Sequence, residues 1–244
     1  MSINFSLVLP CYNEEENIPL LYKEFSEIPL NEYRAELILV NNGSTDGTQK
    51  EIETVIKNNK KNNIDVIILN LKKNQGYGGG IAEGLKIAKG DYIGWAHADL
   101  QTPLIDFFGL FNLVKNQKEI LGKGFRTNNR GFDGIVSRCH ESLASLILGY
   151  RMREINAQPK IFSRDLMKYF TQIPRNWTVL DTYITYVCLK RKIKIETIDV
   201  VFKTRIYGHS KWKNNFFNFL NHIIFNLLYL FKLRFTNIFN INKI

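Results

Sequence analysis

Glu36-Leu37-Ile38-Leu39-Val40-Asn41-Asn42-Gly43-Ser44-Thr45-Asp46-Gly47-Thr48 passes from a short apolar run into turn-forming and capping residues. Glu36 to Val40 has the composition of a strand. The two glycines permit a tight turn, and Ser44, Thr45 and Asp46 can cap a helix over about 48–60. The stretch therefore reads as strand, turn, helix, and the unit recurs. Phe5-Ser6-Leu7-Val8-Leu9, closed by Pro10, is a further strand, as are Val66-Ile67-Ile68-Leu69 and Tyr92-Ile93-Gly94-Trp95-Ala96. Residues 14–27 and 79–89 have helical spacing. This alternation predicts an α/β fold, a mostly parallel open sheet flanked by helices. Such sheets bind ligands beyond the carboxyl ends of their strands. The unusual polar residues fall there: Asn13 and Glu14, Asn41 to Asp46, and His97 to Gln101.

The chain has 244 residues, a length that favours one large domain with a core of its own. Its charge is divided. Residues 1–110 carry a net −5 and residues 111–244 a net +15, so an anionic partner is expected of the second half. The basic residues are dispersed and no nucleic-acid motif is present, so no nucleic-acid partner is expected. Cys11, Cys139 and Cys188 show no CxxC spacing, which excludes a disulfide framework or zinc site as the organising feature. The N-terminus lacks a charged segment followed by an apolar one, so a signal peptide is not expected and the chain reads as cytoplasmic.

Beyond residue 119 the pattern is less regular. A helix is expected over about 135–149, an extended connection over 155–162, a helix over 179–190, a strand over 193–202 and a polar loop over 203–213. The domain is expected to occupy 1–212 and an amphipathic helical tail 213–244. In that tail Asn218, His222, Asn226 and Tyr229 form a narrow stripe opposite a wide aromatic and aliphatic face, flanked by Lys211, Lys213, Lys232 and Arg234. The pattern fits a helix lying in a membrane interface. It also fits a helix covered by the domain or by a partner chain.

His97-Ala98-Asp99-Leu100-Gln101 closes an apolar strand. If the strand period persists, His97, Asp99 and Gln101 point the same way and can hold one divalent cation, Mg²⁺ by its preference for oxygen or Mn²⁺ by the imidazole. The same residues also serve as a solvated strand end before a helix that begins at Thr102-Pro103. Gly76-Tyr77-Gly78-Gly79-Gly80 lacks the third glycine of GxGxxG, since Ile81 stands there, and does not directly end a strand. A Rossmann dinucleotide site is excluded.

Taken in order, Leu9-Pro10-Cys11-Tyr12-Asn13-Glu14-Glu15, Val40 to Thr48, Gly90-Asp91-Tyr92-Ile93 leading into Ala98-Asp99-Leu100-Gln101, Asn156 to Phe162 and Arg205-Ile206-Tyr207-Gly208-His209-Ser210-Lys211 resemble the family-2 glycosyltransferases over about 5–212. Within them the chain resembles the branch of dolichyl-phosphate mannose synthase and its bacterial polyprenyl-phosphate relatives. The resemblance implies a GT-A fold, a UDP- or GDP-sugar donor, a divalent metal and inverting transfer. It implies a donor site built from Pro10, Tyr12, Asn13 and Glu14; from Asn41, Asn42, Ser44 and Asp46; and from Gly76, His97, Ala98, Asp99 and Gln158. Two positions depart from the family pattern. Asn41-Asn42 replaces a pair of aspartates, with one of the amides expected on the nucleotide base. His97 replaces a metal-side carboxylate, leaving Asp99 and Gln101 as ligands.

By the same resemblance Arg126 faces the phosphates, Arg138 and Ser142 hold the acceptor phosphate, and Arg205 and Lys211 close over the donor diphosphate. Lys123 and Arg130 are given no role. Asp181 stands where relatives with sugar acceptors carry a catalytic carboxylate. A lipid phosphate is already anionic and needs no general base, so for that acceptor Asp181 orients a loop or caps a helix. The expected function is sugar transfer to a polyprenyl phosphate by a peripheral protein at the cytosolic membrane face, with homo-oligomerisation left open. The alternatives are transfer to a glycan hydroxyl in surface-polysaccharide assembly, and a nucleotide-sugar-binding scaffold without turnover.

Overall fold

The computed structural model describes residues 2–128, 130–205 and 216–239, with side chains at 2–128, 130–176, 179–205 and 221–236. Its first half repeats the strand–helix unit: β1 (Phe5–Cys11), α1 (Ile18–Ser26), β2 (Ala35–Asn41), α2 (Thr48–Asn58), β3 (Ile64–Asn70), α3 (Gly76–Ile87), β4 (Tyr92–Trp95) and α4 (Leu104–Val114). The second half holds β5 (Ile120–Arg126), α5 (Gly131–Leu148), β6 (Lys160–Ser163), α6 (Trp177–Lys190), β7 (Lys194–Val200) and α7 (Phe216–Phe239). The strands form one sheet in the order β3-β2-β1-β4-β6-β5-β7. Only β6 runs antiparallel to its neighbours, β4 and β5. The carboxyl ends of the other six strands, and the amino end of β6, therefore share one edge.

The pleat of β1 divides the core. Phe5, Leu7, Leu9 and Cys11 face α1, α2 and α4, whereas Val8 faces α3. α5, α6 and α7 belong to that second layer through Leu148, Leu180, Ile184, Leu230 and Leu233. Because both faces of the sheet are covered, β1 and β2 are buried at every residue and read as continuous apolar runs.

The expected helices and strands are present with shifted ends, and most of the loop expected over 203–213 lies outside the described residues. α1 starts at Ile18, with Asn17 at its N-cap and a proline in its first turn. α3 starts at Gly76 rather than near 79, and its glycines explain why. A Cβ on Gly78 would lie 2.6 Å from the Arg175 carbonyl oxygen, and one on Gly80 would lie 2.9 Å from Cβ of Pro10. The glycines that look like a loop in sequence are needed for the helix to lie against β1. The extended connection at 155–162 ends in β6, which the sheet buries between β4 and β5.

α7 packs on α5 and α6. Leu230 and Leu233 are buried, His222, Asn226 and Tyr229 are half-buried, and Nη1 of Arg234 donates to the Leu148 carbonyl at the end of α5 (3.2 Å). Burial of each leucine contributes roughly 1.5–3 kcal/mol to that docking. The described part of the polar stripe thus lies toward the domain, Asn218 being outside the described side chains, and Ile223, Ile224, Phe225, Leu228, Phe231 and Phe235 are exposed. Among the described residues no helix is long and apolar enough to cross a membrane.

Candidate active site

Two loops at the shared edge are laced together. Asn13 takes a left-handed conformation (φ 57°), and its Oδ1 accepts from the Thr45 amide at 2.9 Å while its own amide donates to Ser44 Oγ at 3.1 Å. The Glu14 amide donates to Thr48 Oγ1 (2.8 Å), and the Glu15 amide to Asp46 (3.3 Å). Asp46 also accepts from the amide and hydroxyl of Thr48 at the start of α2. Glu14 accepts from Nδ2 of Asn17 at 2.5 Å. Burial, reinforced by Asp99 and Asp46, pushes its carboxyl up to about 7 despite that bond.

The paired asparagines have a local explanation. Asn41 donates from Nδ2 to Asn70 (2.9 Å) and accepts from the Ser44 amide (3.1 Å). Asn42 donates to the Gly76 carbonyl (2.9 Å) and accepts from the Gln75 amide (3.0 Å). Each position needs a donor and an acceptor, which an ionised carboxylate cannot supply. Both amides bind the chain to itself and are buried, so their observed work is to fix the openings of the turn and of α3.

The strand period does not persist to residue 101. β4 ends at Trp95, and Leu100 turns the chain with φ 57°. Ala98 and Asp99 are buried. His97 stacks on Tyr77, with ring centroids 5.1 Å apart, and meets Phe202 edge-on at 6.1 Å. Burial lowers its pKa, which keeps the imidazole neutral. Asp99 and Gln101 do converge, on the guanidinium of Arg205. Nη2 of Arg205 lies 2.9 Å from Oδ2 of Asp99, and its Nε donates to Oε1 of Gln101 at 3.1 Å. Among the described residues no three His, Cys, Asp or Glu side chains form a group able to hold a metal.

Behind this turn lies a buried ion pair. Lys160, at the amino end of β6, donates to Asp181 Oδ1 (2.8 Å) and to the carbonyls of Ile155 (2.8 Å) and Ala157 (2.9 Å). Gln158 donates to the other carboxylate oxygen at 3.2 Å. Asp181 is inside α6 rather than at its cap, so the capping expectation does not hold. Residue type assigns no role to Lys160 or Tyr77, yet Tyr77 stacks on His97 and Lys160 pairs with Asp181 behind the turn. Lys123, one strand over, bonds to the carbonyls of Arg153 and Glu154, and burial with the nearby Lys160 lowers it to about 7.

Arg126 ends β5. Its Nε donates to Glu154 at 2.5 Å, while its buried Nη2 has no hydrogen-bond partner among the described residues. Arg130 lies close enough that burial and the charge of Arg126 both lower its pKa. Arg138 and Ser142 are exposed one turn apart on α5, and Arg138 Nη1 lies 3.5 Å from where a Gly134 Cβ would stand. The residues expected to meet phosphate or metal thus fall into two groups, one at the 97–101 turn with Arg205 and one made of Arg126, at the end of β5, with Arg138 and Ser142, midway along α5. Lys211 lies outside the described residues.

The family model for glycosyl transferase family 2 matches residues 6–165, a span that takes in β1 to β6 and both groups except Arg205. The chain belongs to glycosyl transferase family 2. This member of the family is 28% identical over 219 residues to a dolichyl-phosphate beta-glucosyltransferase of Trichomonas vaginalis, covering 80% of this chain and 64% of that protein. It is 28% identical over 225 residues to an undecaprenyl-phosphate 4-deoxy-4-formamido-L-arabinose transferase of Proteus mirabilis, covering 91% and 66%. The chain therefore spans about two thirds of the length of these relatives. Its fold is similar to glucosyl-3-phosphoglycerate synthase from Mycobacterium tuberculosis in complex with Mn²⁺, UDP and glucosyl-3-phosphoglycerate. The TM-score is 0.66 at 19% identity, over 95% of this chain and 80% of that one. The expected GT-A architecture of the family-2 glycosyltransferase is thus observed.

Proposed function

We propose that this chain transfers one sugar, with inversion, from a nucleotide-sugar donor to a polyprenyl phosphate at the cytosolic face of a membrane. The observation that carries the choice of acceptor is the commitment of Asp181. A hydroxyl nucleophile needs a general base, and the carboxylate expected to serve is buried against Lys160 and Gln158. A phosphate oxygen attacks without one. The relatives named for dolichyl- and undecaprenyl-phosphate support the same acceptor.

In this reading the donor occupies the edge formed by 12–14, 41–46 and 97–101. Arg126 directs its unpartnered Nη2 at phosphate oxygens, and Arg138 with Ser142 holds the acceptor phosphate. Their donors stabilise charge that gathers as one phosphate approaches another. A divalent cation fits the donor set, because Asp99 and Gln101 already aim two oxygens at a single positive group. They would hold it, and it would neutralise the departing diphosphate.

The test is a detergent assay with labelled nucleotide sugars, Mn²⁺ or Mg²⁺ and a polyprenyl phosphate. A lipid-linked product is expected, and its absence across common donors, with folded protein, overturns the proposal. Transfer to a glycan hydroxyl instead would move the acceptor to the alternative class.

The membrane contact has its own support. α7 exposes Ile224, Leu228, Phe231 and Phe235, and α5, packed against it, exposes Leu143 and Leu146. Lys232 and Arg234 supply positive charge beside that apolar face. The full chain is expected to pellet with anionic vesicles, less so at high salt. Deleting α7 would uncover the partners of Leu230 and Leu233, so the cleaner variant is Leu228→Asp with Phe231→Asp. It should abolish pelleting while leaving the thermal midpoint within a few degrees. Unchanged pelleting would exclude this face.

A further inference from the structure

The contacts between the 203–205 segment and the 99–101 turn are reciprocal. The Lys203 amide donates to the Gln101 carbonyl (2.8 Å), and Nε2 of Gln101 donates back to the Lys203 carbonyl (2.9 Å). This staple carries Arg205 across the 99–101 turn, where its guanidinium bridges Asp99 Oδ2 (2.9 Å) and Gln101 Oε1 (3.1 Å). Asp99 is buried, and its other oxygen accepts from the Gln101 amide at 3.2 Å. Both side-chain oxygens suited to a divalent ion are therefore committed to the chain's own cation.

We infer that Arg205 is a resident counter-cation of Asp99 and Gln101, exclusive with a divalent metal, which the donor diphosphate releases by drawing the guanidinium to itself. The inference rests on the metal-assisted reading above and adds an order to it.

The physical argument is one of competition and exchange. A buried carboxylate without a cation is costly, and the guanidinium offers a planar fork that bonds to two oxygens at once. A metal ion arriving alone must break charge-assisted bonds and return Arg205 to water. When a diphosphate is present, Arg205 has a second anionic partner on offer, and the metal gains phosphate oxygens as additional ligands. The two ligands then assist one another, and by linkage each raises the affinity of the other by the same factor. In the absence of a donor the site stays neutralised, and a free metal ion is held off.

The measurement is Mn²⁺ binding, read by electron paramagnetic resonance of the free ion, with Mn²⁺ alone and with Mn²⁺ plus UDP. Arg205→Gln is expected to bind Mn²⁺ alone at least about tenfold more tightly than the unaltered chain, the scale of a charge-assisted bond. Arg205→Lys keeps the positive charge and should remain near the unaltered value. The enhancement by UDP should shrink in Arg205→Gln, and Asp99→Asn added to it should remove the gained affinity. Equal Mn²⁺ affinity in the unaltered chain and Arg205→Gln, lost in Asp99→Asn, would overturn the counter-cation while leaving the metal site standing. Tight binding in both Arg205→Gln and Arg205→Lys would overturn it too, since loosening the segment, not vacating the charge, would then be the cause. No Mn²⁺ binding in any form, with UDP or without, would remove the metal site and this inference with it.

Discussion

Replacing Asp181 by leucine is expected to destabilise the chain by about 3–5 kcal/mol, the range for breaking a buried ion pair on one side. The cause is the ammonium left behind. Lys160 is completely buried, and Asp181 is the charge that opposes the lowering of its pKa by burial. Without Asp181 the lysine must be buried as an unpaired cation or give up its proton. The sign with pH follows. A lysine whose folded pKa lies below its unfolded value binds fewer protons in the native state, so stability rises as pH rises toward the unfolded lysine range. The deficit of Asp181→Leu should therefore shrink between pH 7 and 9.5 in urea titrations at unchanged slope. The double variant Lys160→Met with Asp181→Leu removes both charges and should recover most of the loss. A double variant as unstable as the single one would mean that packing, not charge, sets the cost. The same protein separates the two acceptor classes: if Asp181 were the general base, the recovered double variant would be folded and inactive. Under the phosphate-acceptor reading it retains turnover.

The sheet was legible because its signal is local. The apolar runs of β1 to β4 and the turn chemistry between them give the strand–turn–helix alternation and hence a mostly parallel sheet, and the resemblance in motif order named the architecture. What escaped depends on distant partners. β6 is only four residues long, and becomes a strand because β4 and β5 bury it on both sides. The glycines of α3 resemble a loop until Pro10 and Arg175 are seen against them. At the candidate site, residue types identified Asp99 and Gln101 and the family resemblance Arg205, but only geometry shows that Arg205 bonds to both of the others. Asn41 and Asn42 looked like lost carboxylates; their partners at Asn70, Ser44, Gln75 and Gly76 show that amides are what those positions require. Lys160 lies within the Asn156 to Phe162 motif, yet nothing local to it hints at the carboxylate 21 residues later that receives it.

Arg126→Lys is expected to lower kcat for lipid-linked product by about 10²–10³, the cost of removing one preorganised donor from developing charge. Arg126 does two things that a lysine cannot do together. Its Nε is fixed on Glu154 at 2.5 Å, and that bond orients the fork so that Nη2 remains buried and unpartnered at the end of β5. A lysine is a single point charge on a flexible stem; if it satisfies Glu154 it no longer presents a second donor to phosphate. Charge is conserved, so the fold should survive, and the loss should appear in kcat with little change in KM for the nucleotide sugar. Glu154→Gln gives the complementary result. It keeps an acceptor for Nε but removes a negative charge beside the guanidiniums of Arg126 and Arg130, so acceptor affinity should rise modestly while kcat stays within a few fold. If Arg126 were only a structural partner of Glu154, both variants would lower the melting temperature and neither would change kcat per folded molecule. A fall in kcat confined to Arg126→Lys places the free Nη2, rather than the ion pair, at the transferring phosphate.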